Sequence, residues 1–215
     1  MKTLVLVDIQ NDFCNGGALA VKDGDAVVPV ANRLIVEGKF DLIVATQDYH
    51  PPTHKSFASN NKDVKVGTLG TLNGLPQVWW PEHCTWGSKG AEFHKNLLGG
   101  RLAAIFRKGM DPEVDSYSGF FDNGRKHPTG LAGYLRDVGA TELFVLGLAT
   151  DYCVKFTALD AVSLGFKTNL VLDGCRAVNL QPEDGAKAVA EMKEKGVKII
   201  EKGDSLLVKL NANVQ

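Results

Sequence analysis

Residues 143–148 of this 215-residue chain read Leu143, Phe144, Val145, Leu146, Gly147, Leu148. The run is short enough for a strand and too uniformly apolar to have a solvated face, so it reads as a strand buried on both sides. That requirement excludes an open antiparallel sheet and points to a parallel sheet covered by helices. The residues that follow complete a strand–turn–helix unit. Ala149, Thr150 and Asp151 form a small-residue turn in which Thr150 or Asp151 can cap a helix, and Val154, Ala158, Ala161 and Val162 then recur at helical spacing until Gly165 stops it. Cys153 falls in the first turn of that helix, where free amide N–H groups and the positive helix end favour a thiolate. A buried, unreactive cysteine suits the same position, and the stretch alone leaves both readings open.

The unit repeats along the chain. Strands are expected over 3–7, 41–46, 102–106, 142–146, 168–172 and 197–200, with helices over 25–37, 129–138, 152–164 and 182–195. This alternation describes an α/β protein, one domain over 1–215. One segment, about 48–100, breaks the alternation, and the stretch from Gln47 to Gly100 carries four of the five histidines and all three tryptophans. So much irregular chain in a compact domain is expected to build a binding site.

Composition narrows the function. A net charge of -1 offers no pull toward nucleic acid or an anionic membrane, which leaves small-molecule chemistry. Cys14, Cys84, Cys153 and Cys175 are widely spaced without a C-x-x-C pair, as expected of a reducing compartment, and the apolar run Leu4 to Val7 is too short for a signal peptide or a membrane span. The expected location is the cytoplasm.

In parallel sheets, ligands bind beyond the carboxyl ends of the strands. The residues just past the first four expected strands are Asp8, Asp48, Lys108 and the turn leading to Cys153. Each alone could simply end a strand; together they resemble a nucleophile with a base and a cation. An unperturbed aspartate, pKa about 3.9, is a poor base for a thiol of about 8.5. Burial of the carboxylate, with Lys108 and the helix terminus lowering the thiol, is expected to close that gap. A second constellation is Asp48 and His50, two apart on a chain that Pro51 keeps extended, so both can face one ion, with His83 as the expected third ligand. Two imidazoles and a carboxylate suit a catalytic zinc, with iron or manganese tolerated. Loop histidines bonded to backbone are the alternative. The glycines of 67–74 lack phosphate-loop spacing, and Cys175 is a weaker rival nucleophile without a capping pattern before it.

These residues sit in longer motifs: Val7-Asp8-Ile9-Gln10-Asn11-Asp12-Phe13, Gln47-Asp48-Tyr49-His50-Pro51-Pro52-Thr53-His54-Lys55-Ser56-Phe57, Trp80-Pro81-Glu82-His83-Cys84, Arg107-Lys108-Gly109, Tyr117-Ser118-Gly119-Phe120 and Ala149-Thr150-Asp151-Tyr152-Cys153-Val154. Over nearly the whole chain they resemble the isochorismatase-like cysteine hydrolases. Isochorismatase itself lacks the cysteine, and the Asp-x-His with a later Trp-Pro-x-His resembles the metal-binding nicotinamidase branch. The resemblance implies a three-layer α/β/α fold around a six-stranded, mainly parallel sheet, and hydrolysis of nicotinamide to nicotinate and ammonia through a cysteine thioester, in NAD salvage. It implies Cys153 as nucleophile, Asp8 as base and Lys108 as the cation between them. A cis peptide before Ala149 would set the Ala149 and Cys153 amides as an oxyanion hole. Asp48, His50 and His83 would hold one divalent metal per chain, foremost Zn2+, and Phe13, Trp80, Tyr117 and Tyr152 would wall the substrate. His54 departs from some relatives, so direct or water-mediated ligation stays open there. The partner implied is a small molecule, with no nucleic acid or membrane, and a homo-oligomer is compatible with it. Two other readings stand beside this one: a cysteine amidohydrolase for another amide, carbamoyl or ureido compound, and a metal-binding or redox-responsive protein without turnover.

Overall fold

The computed structural model describes residues 1–201; residues 202–215, included in the single-domain expectation, lie outside them. In chain order the elements are β1 (Lys2–Val7), α1 (Val27–Glu37), β2 (Leu42–Asp48), β3 (Leu69–Leu72), β4 (Leu75–Val78), β5 (Ala104–Lys108), α2 (Leu131–Asp137), β6 (Glu142–Leu148), α3 (Lys155–Ser163), β7 (Lys167–Arg176), α4 (Asp184–Glu194) and β8 (Lys198–Ile200). Six strands form one sheet in the order β5-β2-β1-β6-β7-β8, and every pairing in it is parallel. The right-handed rule for parallel crossovers puts α1 on one face and α2, α3 and α4 on the other. Accordingly α3 packs on α4, while α1 lies against β6 and β7. No helix of the described residues is long and apolar enough to cross a membrane.

The uniformly apolar strands occupy the centre, as a sheet covered on both faces requires. Leu4 to Val7 of β1 and Leu143 to Leu146 of β6 are wholly buried. Helix α1 turns Val27, Val28, Ala31, Leu34 and Ile35 inward, an apolar stripe at three- and four-residue spacing. The adjacent strands β1 and β6 send their connections in opposite directions, so the sheet's switch point, where ligands bind, lies between their carboxyl ends. There the backbones press together. At Gly147, with φ +134°, an added Cβ would lie 2.0 Å from the Val7 carbonyl oxygen, so only glycine fits.

Several expectations shift. Strand β5 runs two residues later than expected, because the edge pairing to β2 extends until Lys108 stands opposite Asp48. Strand β7 continues to Arg176 past a register shift opposite Val145 and Gly147. The excursion is not wholly irregular: β3 and β4 form an antiparallel hairpin, and Leu72, Trp79 and Ala58 give that region a small core of its own.

Candidate active site

The register assembles the polar residues. Val7 pairs with Thr46 on one side and Gly147 on the other, and Asp48 pairs with Lys108. Asp8, one residue past β1, therefore sits beside the ends of β2 and β6. Its Oδ1 accepts a hydrogen bond from the Thr46 hydroxyl at 2.6 Å. Its Oδ2 faces Lys108 Nζ at 2.9 Å as an ion pair without hydrogen-bond alignment, which leaves that oxygen without a hydrogen-bond donor. Lys108 Nζ donates instead to Asp48 Oδ1 at 2.8 Å, to the Ser116 carbonyl at 2.9 Å and to Cys153 Sγ at 3.4 Å. One buried ammonium thus touches both carboxylates and the thiol.

Burial governs the protonation states. It raises the Asp8 carboxyl above the usual carboxylate range, although Lys108 pulls it down. Burial works against the Lys108 charge, but Asp48 and Asp8 hold the ammonium well above its usual range. The Cys153 thiol is pushed well up by burial, with Lys108 opposing and Asp8 and Asp48 reinforcing. This corrects the expectation of a lowered thiol: the helix start and Lys108 are present, but desolvation outweighs them.

Cys153 lies in a wide helical turn, Thr150–Val154, that runs into α3. The peptide between Leu148 and Ala149 is cis. The Ala149 carbonyl accepts from the Tyr152 and Val154 amides, which ties the helical turn to the residue that follows the cis peptide. Neither Thr150 nor Asp151 caps the helix. Asp151 accepts instead from the amides of Val178 and Asn179, because the chain past β7 folds back over the turn.

The second constellation also converges. His50 Nδ1 donates to the Gly109 carbonyl and His83 Nδ1 to the Pro81 carbonyl, each at 2.8 Å. Both Nε2 atoms then face Asp48 Oδ2, at 2.9 and 3.2 Å. With both imidazoles neutral, three acceptor atoms meet at a point that a cation would fill, and ligands about 2.1 Å from a tetrahedral zinc would stand roughly 3.4 Å apart. Backbone carbonyls on the far nitrogens are the usual outer partners of metal-binding histidines. The donor set therefore fits a divalent ion. At His54, Nδ1 accepts from the Ser56 amide at 3.1 Å, so the buried Nε2 carries the proton. Burial lowers the His54 pKa to about 4.

Two other groups drop out. Cys14, Asp25 and His94 also lie close together, but His94 Nδ1 accepts from the Asn96 amide and Nε2 faces Asp25 at 3.3 Å, so both ring nitrogens are engaged within the protein. Cys175 bonds the Val171 carbonyl within its own strand, and burial pushes its thiol up to about 12.

A pocket of about 340 Å³, mouth included, joins the two constellations. Its lining includes Cys153, Ala149, Asp48 and His83, and the expected walls Phe13, Trp80, Tyr117 and Tyr152 all face it. Trp80 meets Tyr152 edge-on at 4.9 Å and donates to the Tyr117 hydroxyl at 3.1 Å, which holds the flat walls in place. Sequence reasoning missed three lining residues: Leu19, Asp115 and Val178. Asp115 stands two residues before the Tyr117–Phe120 motif, outside it but close enough to have been considered. Leu19 and Val178 carry no local signal, since only chain folding brings them to the pocket.

The family profile described as the Isochorismatase domain matches residues 2–204. Over 197 residues the chain is 55% identical to a nicotinamidase of Escherichia coli strain K12, with 91% of this chain and 92% of that protein covered. Among solved structures, an Acinetobacter baumanii nicotinamidase pyrazinamidase superposes with a TM-score of 0.89 at 41% identity, covering 93% of this chain and 95% of that one. The pyrazinamidase of Pyrococcus horikoshii in complex with zinc superposes at 0.75, 37% identical, covering 94% and 99%.

Proposed function

The chain belongs to the isochorismatase family, and on that premise we propose that it is a nicotinamidase, hydrolysing nicotinamide to nicotinate and ammonia with Cys153 as nucleophile. The observation that carries this reading is one pocket, walled by Phe13, Trp80, Tyr117 and Tyr152, that is lined both by Cys153 and by Asp48 and His83 of the Asp48–His50–His83 donor set. Its aromatic walls contribute roughly 0.5–1.5 kcal/mol per ring contact beyond area burial. Those walls hold a ring without orienting it. Asp48, His50 and His83 would hold a divalent ion, zinc before iron or manganese, which would supply a Lewis-acid position for the ring nitrogen.

Chemistry on the protein side follows from the protonation states. Cys153 rests as a thiol, so attack on the carboxamide carbon requires its proton to leave as the C–S bond forms. Asp8 receives it: burial has raised the basicity of its carboxylate, and the thiol and carboxylate interact directly. Lys108 keeps its charge throughout and balances the negative charge that passes among Asp8, Asp48 and the sulfur. The developing oxyanion is received by the backbone amides of Ala149 and Cys153 in the turn that follows the cis peptide. Asp8 then returns the proton to the leaving nitrogen, ammonia departs, and a water that Asp8 deprotonates cleaves the thioester. The test is ammonia release from nicotinamide, pyrazinamide, benzamide and a set of carbamoyl and ureido compounds. Turnover confined to the carbamoyl or ureido compounds would replace this reading with another amidohydrolase of the same family.

A further inference from the structure

We propose that Asp151 is a positioning residue, which fixes one wall of the substrate pocket from behind the nucleophile and so sets the size of ring the enzyme accepts; this rests on the nicotinamidase reading. Asp151 is 5% exposed and lies two residues before Cys153, in the same turn. A buried carboxylate needs donors, and this one finds none in its own turn. Oδ1 takes the Val178 amide at 2.9 Å and Oδ2 the Asn179 amide at 2.8 Å. Two consecutive amides on one carboxylate form a clamp of charge-assisted bonds. The far side of the loop is anchored as well. Asn179, at φ +53°, accepts the Gly185 amide on its Oδ1 at 2.8 Å, which ties the loop to the start of α4.

The residue held between these anchors is Val178, whose side chain lines the substrate pocket. Phe13, Trp80 and Cys153 line it at 5%, 4% and 7% exposure, whereas Leu19, Tyr117, Tyr152 and Val178 are half-buried and form its more open part. A ring with its carboxamide at Cys153 and its nitrogen toward Asp48 and His83 leaves its remaining edge to the other walls. Phe13, Trp80, Tyr117 and Tyr152 are locked by packing and by their own contacts. Val178 belongs to a loop between β7 and α4, so its place depends on what holds that backbone. Asp151 holds it, and refers it to the turn that carries the nucleophile.

The experiment compares kcat/KM for nicotinamide, 5-methylnicotinamide and quinoline-3-carboxamide in the zinc-loaded wild type, Asp151→Asn, Val178→Gly and the double variant. Asp151→Asn exchanges one acceptor for an NH2 group facing an amide N–H. It is expected to raise KM for nicotinamide more than it lowers kcat, and to shift the kcat/KM ratio toward the larger rings by about threefold or more. Val178→Gly, which removes the wall itself, is expected to shift that ratio by about tenfold. The double variant should match Val178→Gly alone, because the clamp acts through that side chain. Should Asp151→Asn fail to fold, Asp151→Ser, which keeps one acceptor, carries the same comparison. A lowered melting temperature with an unchanged ratio, or ratio shifts that multiply in the double variant, would reduce Asp151 to a structural cap and overturn the proposal. A wild type inactive on nicotinamide would remove the nicotinamidase reading instead, so the two failures are distinguishable.

Discussion

Replacing Gly109 with alanine should weaken the metal site while leaving every ligand in the chain. Gly109 has φ +68°, where an alanine costs about 1–2 kcal/mol in backbone energy. The larger effect is local. An added Cβ would lie 2.4 Å from His50 Cε1 and 2.6 Å from its Nδ1, against the 3.4 Å or more of ordinary contact. The ring must therefore retreat by about 1 Å, since carbon atoms settle near 3.5–4.0 Å. That retreat strains the 2.8 Å bond from His50 Nδ1 to the Gly109 carbonyl, the contact that aims Nε2 at Asp48. Losing such an outer partner typically weakens a metal by 10–100-fold, roughly 1.4–2.7 kcal/mol. The assay is zinc affinity by competition with a chelator, alongside a melting curve to separate the backbone cost. Gly133→Ala is the control: it lies within α2 with nothing inside 4 Å of an added Cβ, so it should stabilise the fold by about 0.5–1 kcal/mol and leave zinc affinity alone. Wild-type zinc affinity in a folded Gly109→Ala protein would show that His50 is not a ligand, and the site would have to be redrawn.

Cys153→Ala should abolish ammonia release with the melting temperature nearly kept, whereas Cys175→Ala should remain active; the reverse pattern would move the nucleophile. Asp8→Asn and Lys108→Ala should each cost nearly as much as losing Cys153, and the double variant little more, since groups that act as one unit are not additive. Because burial raises the Cys153 thiol, almost no thiolate exists at neutral pH in the resting enzyme. Alkylation by iodoacetamide should therefore be slow at pH 7 and climb beyond the ordinary thiol pKa of about 8.5; a rate already level at pH 7 would mean a preformed thiolate. Nicotinamide should be preferred over benzamide by about tenfold or more, and His50→Ala should remove most of that preference, while Trp80→Ala weakens both alike. Equal kcat/KM for the two amides in the wild type would defeat anchoring through the ring nitrogen.

The amino-acid order alone determined the sheet, its central strands and the short list of groups at their ends. Those are local matters: an unbroken apolar run such as Leu143 to Leu146 must be buried on both faces, and Asp8, Asp48, Lys108 and the Cys153 turn follow such runs directly. The Asp48–His50 pair was equally legible, because alternate side chains of an extended chain share a side. What tertiary structure decided is long-range. Lys108 meets Asp48 only through the register of β5 on β2, which carries the strand two residues past its apolar pattern. The hairpin of β3 and β4 was hidden because its packing partners, Ala58 and Trp79, flank it rather than mark it by alternation. Asp151 looked like a helix cap because its type and place suit one, yet the loop beyond β7 brings it two amides from 27 and 28 residues away. Protonation of Cys153 was misjudged for a related reason. Charges can be read from neighbours in the motif, but the desolvation that outweighs them is a property of the closed core, and no stretch of sequence states how deeply it will be buried.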